Sequence, residues 1–265
     1  MYLFNGNNWF YFLFNLILYI MKSATIPLLL SLLAGLSTIL GCVFIFIKTK
    51  KVGEFITLSL SISLGIMIFI SIFDLIPMSL PIIIKKYGLY FGIIISFLTF
   101  ILGYLFIYIL EKQIKQNNSN LYKIGIISMI SMIMHNFPEG IAVFMSAYTN
   151  IKLGIKMCIA IMLHNIPEGI IISVPLYYSG ESRGSVIKKT LFSGLSEPIG
   201  ALLSYLFLNR VINELLLSYI LLFVSGLMIS LSINNILKEL LKNNNIKYII
   251  LGIIISIVFA LFIII

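Results

Sequence analysis

The chain has 265 residues, of which 60% are hydrophobic and 10% charged, and its mean hydropathy is +1.12. Soluble globular domains carry about a quarter of their residues as charged side chains, so this composition excludes one and indicates a polytopic membrane protein. The net charge of +9 comes from Lys and Arg scattered among short loops, a distribution that membrane topology explains better than nucleic-acid binding does, and we expect no nucleic-acid partner.

Eight apolar runs are long enough, at about 20 residues each, to cross a bilayer as helices. They predict an all-α membrane domain over residues 25–265, preceded by an N-terminal extension over residues 1–24. In that extension the apolar run from Trp9 to Met21 is short for a span, so we expect it to extend the first helix, to lie at the membrane interface or to serve in targeting. The eight predicted spans are residues 25–47, 55–77, 89–110, 124–146, 152–177, 190–208, 215–237 and 246–265.

Lys and Arg residues favour one side of the membrane in this arrangement. Twelve of the 18 fall in four alternate loops, at residues 48–51, 112–123, 183–189 and 238–247. The positive-inside rule therefore places these loops in the cytoplasm, or on the equivalent side of an organelle membrane, and both termini on the non-cytoplasmic side. The host is then either the plasma membrane or the membrane of an organelle.

The second and seventh spans share a weak internal repeat. Residues 65–74 read GIMIFISIFD, and residues 226–235 read GLMISLSINN. Because the loop count gives the two spans opposite directions, the chain divides into three helices, a central pair and three helices related by inversion, a pattern typical of transporters. Recurrence of Gly, Ile and Met in any chain of this composition is the alternative reading. Asp74 ends the first copy near the outer interface, where it either collects incoming cations or is simply solvated.

The central pair of spans carries the same phrase twice, HNFPEG at residues 135–140 and HNIPEG at residues 164–169. In each copy the His and the Glu four residues later lie on one face of a helix, and the Asn leans towards the same side. Such groups are costly in hydrocarbon unless a partner or a wet cavity receives them, so two facing helices built this way predict a site for divalent cations. A purely structural role for both copies is the alternative. The predicted ligands are His135, Asn136, Glu139, His164, Asn165 and Glu168.

Prolines accompany each of these acidic residues. Pro138 and Pro167 have no N–H for the carbonyls four residues before them, so each helix should loosen and offer a free carbonyl near the ligands. The sixth span adds Glu197 in the sequence SGLSEP at residues 193–198, again beside a proline. Its mid-span position predicts a seventh ligand, and a structural Glu paired with a serine is the alternative.

The predicted donor set indicates which metals the site takes. Imidazole suits zinc, copper, iron and nickel, and carboxylate and amide oxygens extend the range to manganese and iron(II). Nothing thiolate-rich selects copper(I), because Cys42 and Cys158 lie in separate apolar runs. Seven side chains exceed the four ligands of one tetrahedral zinc, so the set has room for two adjacent metals bridged by Glu139 and Glu168. Many weak oxygen ligands also keep binding loose enough for release, which favours transport over a structural metal site.

These motifs, together with FDLIP at residues 73–77, resemble the ZIP (Zrt/Irt-like) family of metal transporters, in its GufA-type branch. The likeness covers about residues 25–265 and implies the eight-helix 3+2+3 fold of a ZIP-type transport domain. It also implies a binuclear transmembrane metal site at the seven residues and secondary, alternating-access transport towards the cytoplasm. Zinc is the expected main cargo, with iron(II) or manganese also carried and no resident cofactor. The lipid bilayer is the other expected partner, and the sequence is compatible with a homodimer.

Two departures from the family pattern and one competing function remain. Asn234 and Asn235 stand where many relatives have a carboxylate near the end of the seventh span, and the loop at residues 111–123 has no histidine. The competing function is an intramembrane zinc-dependent hydrolase with a Glu as general base. The sequence disfavours this alternative, because the HExxH spacing is absent and both histidines belong to the duplicated phrases. We therefore expect a transporter rather than an enzyme.

Overall fold

Helices make up almost all of the computed structural model, which describes residues 24–113, 119–207, 214–242 and 245–264 and has no β-strand among them. The segment predicted at Trp9–Met21 lies outside the described residues. Eight helical elements follow one another within the described part. They are α1 (Ala24–Phe46), α2 (Val52–Tyr87), α3 (Leu89–Gln113), α4 (Asn120–Thr149), α5 (Ile151–Tyr178), α6 (Arg183–Gly194 and Ser196–Phe207), α7 (Glu214–Lys242) and α8 (Ile246–Ile264).

Six of these elements, α1 to α5 and α7, are long and apolar enough to cross a membrane. The other two fall short for local reasons. A break at Leu195 divides α6 into two helices of 12 residues each, and the apolar stretch of α8 is short, at Ile246–Leu261. The helices support an all-α polytopic membrane protein, and eight crossings in a 3+2+3 inverted repeat remain a prediction.

The second helix extends well beyond the predicted span of residues 55–77, because it continues to Tyr87. The predicted span ended at Pro77, but Pro77 and Pro81 both lie inside the helix, just after a π-helical segment at Ser71–Leu75. The helix ends at Gly88, whose φ of 80° suits glycine. Hydropathy alone missed the extension, since it carries Lys85 and Lys86 in its last turn.

Side-chain caps fix where the central helices begin. The Ser119 hydroxyl accepts a hydrogen bond from the Tyr122 N–H at the start of α4. The Asn150 Oδ1 accepts from two N–H groups in the first turn of α5, and Ser182 caps α6 in the same way. These polar residues satisfy N–H groups that a helix start leaves unpaired, and they set the short turns that make α4 and α5 neighbours.

Helices α2 and α7 each contain a short π-helical segment, Ser71–Leu75 in α2 and Ser232–Leu237 in α7. Both segments begin at equivalent positions of the sequence repeat, since Ser71 and Ser232 each stand six residues after the glycine that opens their copy. π-helical turns inside α-helices are frequent at functional sites, because they re-aim nearby side chains. In this chain the last residues of the two sequence repeats, Asp74 and Asn235, both lie within these π segments.

The helices pack as two bundles. Contacts within the set α1, α4, α5 and α6 are extensive, as are those within the set α2, α3, α7 and α8. We call these the first and second bundles. The principal contacts between them join α2 to α5 and α4 to α7. One polar link crosses this boundary, where the Ser63 hydroxyl of α2 donates to the Pro167 carbonyl of α5 at 3.0 Å.

Helices α4 and α5 continue through Pro138 and Pro167 without a break, and the free carbonyls expected beside these prolines stay a prediction. Near Pro138, α4 packs closely against α6. A Cβ on Gly140 of α4 would lie 1.9 Å from the Glu197 backbone carbonyl oxygen of α6. In return, a Cβ on Gly200 would lie 2.1 Å from the Phe137 carbonyl oxygen. Only glycine allows this backbone contact between α4 and α6.

Candidate metal centre

The seven predicted ligand residues are all deeply buried, and each exposes 5% or less of its surface. They lie on three helices of the first bundle. Three come from α4, three from α5, and Glu197 comes from the second part of α6. Charged and polar side chains so far from solvent need partners.

Glu139 lies between the two histidines. Its Oε1 atom is 3.0 Å from the Nε2 atom of His135, one turn earlier on α4, and 2.9 Å from the Nε2 atom of His164 on α5. The two imidazole rings have centroids 6.2 Å apart. The same His135 Nε2 atom is 3.3 Å from Oε1 of Glu168. Four side chains from two helices therefore direct nitrogen and oxygen donors into one small volume.

The spacing of these donors suits a transition metal ion. Zinc–nitrogen and zinc–oxygen bonds of about 2.0–2.2 Å place the ligand atoms of a tetrahedral site about 3.3–3.6 Å apart. The donor pairs at 2.9–3.3 Å are already close to that spacing. Single ligand atoms of His135, His164 and Glu168 all lie within 4.8 Å of one another. Small side-chain movements would bring the group into coordination geometry.

The two asparagines hold the carboxylates in position. With its amide oriented to satisfy its neighbours, Asn136 donates to the Met132 carbonyl at 2.9 Å and to Oε2 of Glu168 at 3.3 Å. Asn165 donates to the Ala34 carbonyl of α1 at 2.9 Å and to Oε1 of Glu197. Each amide thus links a carboxylate to the backbone, and the Asn165 amide also ties α5 to α1 and α6.

Several ligand atoms keep unused acceptor capacity. Among the described residues, Oε2 of Glu139, Oδ1 of Asn165 and Oε2 of Glu197 are buried and have no hydrogen-bond partner. Buried oxygens without donors are costly, and a bound cation satisfies them. The Glu197 carboxylate accepts a hydrogen bond from Asn165, and it is not among the closest contacts of the two histidines. The seven residues therefore form a His–Glu group (His135, Glu139, His164 and Glu168), with Asn136 bonded to Glu168, and an adjoining Asn165–Glu197 pair.

A cavity of about 360 Å³ leads to this centre from one end of the bundles. We call it the access cavity. Its walls come from both bundles, with α2, α7 and α8 facing α4 and α5. Glu139 and His164 line its inner part, and Asp74 of the α2 π segment also lines it. Asp74, the only aspartate in the chain, therefore shares a cavity with two of the predicted ligands.

The departures at Asn234 and Asn235 lie at a second, smaller cavity of about 80 Å³, which we call the amide cavity. It is formed by the end of α3, the start of α4 and the end of α7. Asn120, Lys123 and Glu239 are among its other lining residues. Asn234 also donates to the Tyr104 hydroxyl of α3 at 2.9 Å, which ties two helices of the second bundle together.

Two supporting residues escaped the sequence reasoning. Ala34 contributes only a backbone carbonyl, which no side-chain pattern signals. Ser63 bonds the Pro167 carbonyl beside the second ligand phrase, and its one visible signal is a hydroxyl in the middle of an apolar helix. Both contacts depend on which helices become neighbours, and the local sequence does not encode that.

Comparisons with known proteins show which family the chain resembles. A family model described as "ZIP Zinc transporter" matches residues 113–265, which include all seven predicted ligands. Zinc transporter ZupT of Chlorobium luteolum is 36% identical over 237 residues, covering 83% of this chain and 89% of that protein. Zinc transporter ZupT of Clostridium perfringens is 30% identical over 253 residues, covering 84% and 89%. That of Streptococcus mutans is 34% identical over 224 residues, covering 79% and 85%.

Proposed function

Because the chain belongs to the ZIP family, as a multi-pass membrane transporter of divalent metal cations and not an enzyme, we propose that zinc is its main cargo. We further propose that the ions pass through a centre at the seven buried residues. The comparisons give the hydrolase alternative no support. The observation that carries the proposal is Glu139, whose Oε1 atom meets both histidine Nε2 atoms inside the first bundle. A carboxylate shared by two imidazoles is the donor arrangement that a zinc ion prefers.

The same donors support a broader cargo range and a second metal position. Carboxylate and amide oxygens accept iron(II) and manganese as well as zinc, so we propose these ions as secondary cargo. Unused oxygens on Glu139, Asn165 and Glu197 would serve a second metal, with Glu139 and Glu168 as bridging carboxylates. Two dications against three carboxylates would leave only a small net positive charge, and sharing ligands between them would keep each ion loosely held.

Alternating access by relative movement of the bundles is the mechanism we propose. All seven ligands belong to the first bundle, and the second bundle supplies only walls of the access cavity. The first bundle can therefore carry its metal past the second without rebuilding the site. Within the first bundle, contacts such as Gly140 against Glu197 keep α4 and α6 together as a unit. Matching π segments in α2 and α7 support the inverted repeat that such a movement requires.

For the membrane arrangement we propose what the sequence predicts. We propose that residues 25–265 form the transport domain, with eight crossings in a 3+2+3 arrangement, and that residues 1–24 are an extension. The twofold bias of Lys and Arg supports both termini on the non-cytoplasmic side and transport towards the cytoplasm, in a plasma or organelle membrane. A homodimer in the bilayer is compatible with the lipid-facing surface of α3, where Tyr90 and Phe91 are exposed.

Uptake into proteoliposomes tests the function directly. Purified wild-type protein is reconstituted with a metal-sensitive dye inside, and zinc, iron(II), manganese and magnesium are offered outside. We expect saturable flux of the three transition metals, fastest for zinc, and little flux of magnesium, which prefers all-oxygen octahedral sites and dehydrates reluctantly.

Liposomes without protein, and liposomes with a Glu139→Gln variant, measure leakage in the same assay. Equal flux of magnesium and zinc would contradict a His–carboxylate filter. Absence of any metal flux from folded, metal-binding protein would overturn the transport mechanism.

Asp74→Asn tests the role of the access cavity. Asp74 lines the same cavity as Glu139 and His164, and among the described residues it forms no hydrogen bond or ion pair with either. Its negative charge raises the local concentration of cations, so its loss should raise the KM for zinc roughly three- to tenfold with little change in maximal flux. Initial uptake rates over a range of zinc concentrations measure both quantities.

Glu214→Gln is the matched control for Asp74→Asn. Glu214 is an exposed carboxylate in the first turn of α7, and Leu221 one to two turns later lines the access cavity, so Glu214 lies at the same end of the bundles. We expect the KM of the Glu214→Gln variant for zinc to match that of the wild type. Raising the salt concentration should shrink the Asp74→Asn effect by screening. A fall in maximal flux at unchanged KM would instead make Asp74 part of the metal centre.

A further inference from the structure

The second bundle has an apolar pocket of about 290 Å³ that shares no lining residue with the access cavity. It lies between the end of α2, the start of α3 and the start of α7. We call it the lipid-facing pocket, because α3 is the least buried of the candidate membrane spans. Its lining includes Ile76 and Leu80 of α2, Ile93, Phe97 and Phe100 of α3, and Leu222 of α7.

The surface of this pocket suits hydrocarbon and not water. Ser96 is the one polar residue in the lining, and its Oγ atom is buried. A water molecule needs two to four polar partners, and this lining does not offer them. Ile93 and Phe97 are exposed, so the pocket opens on the side of the helices that faces lipid. In a bilayer the groups that reach such an opening are lipid acyl chains.

The lipid-facing pocket and the access cavity lie on opposite faces of one wall. On α2, Leu75 lines the access cavity and its neighbour Ile76 lines the pocket. On α7, Leu221 lines the access cavity and Leu222 lines the pocket. The same short stretches of two helices therefore separate the approach to the metal centre from the bilayer.

Basic and aromatic side chains lie beyond the pocket at the end of α2. Lys85 and Lys86 are in the last turn of this helix, about 7–9 Å further along its axis than Leu80. Both lysines are exposed, and neither forms an ion pair with a described residue. Next to them, Tyr87 shares a hydrogen bond with Tyr219 of α7. This combination of lysine and tyrosine is typical of the membrane–water interface.

The charge at this end of α2, α3 and α7 is positive among the described residues. The nearby acidic residues are Asp74, which lines the access cavity on the other side of the wall, and Glu214, which is exposed in the first turn of α7. Two unpaired lysines at the interface complement a phosphate group, and the apolar pocket below them complements an acyl chain.

We propose that this site binds an anionic phospholipid of the phosphatidylglycerol type, with one acyl chain in the lipid-facing pocket and its phosphate at Lys85 and Lys86. The chain supports the wall of the access cavity from behind. When the pocket is empty, the wall segments of α2 and α7 can shift into it, because packed interiors do not keep voids. The binding is independent of the proposed transport function, and the supporting role rests on that function.

A phosphatidylglycerol probe with a photoactivatable group on its acyl chain tests the binding. The purified protein is reconstituted with the probe and irradiated, and the labelled residues are identified by mass spectrometry. We expect labelling concentrated at residues 76–80 and 93–100. The matching phosphatidylcholine probe should label these residues roughly fivefold less, because its headgroup carries no net charge for the two lysines to attract.

Lys85→Gln with Lys86→Gln tests the headgroup contact. The double substitution removes both charges and keeps long side chains, so phosphatidylglycerol labelling should fall to the level of phosphatidylcholine. The matched control is Lys152→Gln with Lys156→Gln. These two lysines are exposed at the start of α5, on the same predicted side of the membrane, and they lie away from the pocket. The control should keep wild-type labelling.

Ile93→Trp tests the pocket itself. Ile93 is 48% exposed, so a larger side chain fits there without disturbing the bundle, and the indole ring fills space that the acyl chain needs. We expect it to reduce labelling at residues 76–80. Ile94→Trp is its matched control, since Ile94 is 53% exposed and does not line the pocket. This control should leave the labelling unchanged.

Zinc flux measures the supporting role. Maximal flux in vesicles that contain phosphatidylglycerol is divided by maximal flux in vesicles of phosphatidylcholine alone, at saturating zinc. We expect a ratio of roughly two to three for the wild type and for Lys152→Gln/Lys156→Gln, and a ratio near one for Lys85→Gln/Lys86→Gln, because an unsupported wall leaves the access cavity less well formed.

The outcomes that contradict the proposal are distinct. Labelling spread evenly over the exposed residues of α3, or equal labelling by the two probes, would mean ordinary bilayer lipid and overturn the site. Cross-links between two copies of the chain through the pocket residues would make this face a protein contact and also overturn it. Equal flux ratios for all variants overturn the supporting role. Absence of metal flux from labelled wild-type protein overturns the proposed function and leaves the lipid site standing.

Discussion

Glu139→Gln is expected to abolish measurable zinc flux and to weaken zinc binding by about 100-fold, or about 2.7 kcal/mol. The substitution keeps the size of the side chain and one carbonyl oxygen, so it changes charge with little change in packing. Zinc titration of the solubilised protein, alongside proteoliposome uptake, measures the two effects.

The size of this effect follows from the position of Glu139. Its Oε1 atom contacts both histidine Nε2 atoms, and its Oε2 atom is unpaired among the described residues. A neutral amide supplies a weaker ligand, and its NH₂ group would face either a metal or an imidazole nitrogen. Two ligand contacts and one negative charge are lost together.

Metal-induced stabilisation separates a lost ligand from a damaged fold. A ligand that binds only the folded state raises the melting temperature, by an amount that grows with the logarithm of its concentration relative to its Kd. Zinc should therefore raise the melting temperature of the wild type and leave that of Glu139→Gln nearly unchanged. Glu197→Gln should retain part of the shift, because Glu197 pairs with Asn165 and is not among the closest contacts of the two histidines. Equal zinc stabilisation of wild type and Glu139→Gln would place the metal elsewhere.

The sequence predicts the local half of this centre well, for a simple reason. Helix periodicity alone brings residues four apart onto one face, and His135 and Glu139 indeed lie 3.0 Å apart. The same reasoning cannot place His164 against Glu139, since that contact depends on how α4 and α5 dock. Duplication of the phrase made the contact a reasonable prediction, because two identical polar faces in hydrocarbon have few other partners.

The fold was less predictable at helix ends and irregular turns. Hydropathy marks the part of a helix in hydrocarbon, so it missed the extension of α2 to Tyr87 and the polar start of α6 at Arg183. The π segments leave no compositional signal, since Ser71–Leu75 and Ser232–Leu237 consist of ordinary residues for this chain. Helices α4 and α5 run through Pro138 and Pro167 without a break, and the free carbonyls expected four residues before these prolines stay a prediction.

Gly140→Ala is expected to destabilise the protein by about 1–3 kcal/mol, the usual cost of overpacking, and to reduce zinc flux at least tenfold. The new methyl group would lie 1.9 Å from the Glu197 carbonyl oxygen, a backbone atom that cannot rotate away. Helices α4 and α6 must then separate, and Glu197 moves with its helix. Thermal unfolding in detergent and proteoliposome uptake measure the two effects.

Gly53→Ala is the control, because a Cβ there meets no atom within 4 Å and alanine is the better helix former. It should leave flux unchanged and stability equal or higher. The informative comparison is zinc affinity. If close packing of α4 and α6 positions Glu197, then Gly140→Ala weakens zinc binding as well as the fold, whereas a glycine needed only for folding leaves affinity intact in the protein that remains folded. Wild-type flux and stability in Gly140→Ala would mean that α4 and α6 do not pack this closely in the membrane. The first bundle could then not carry the metal centre as one rigid unit.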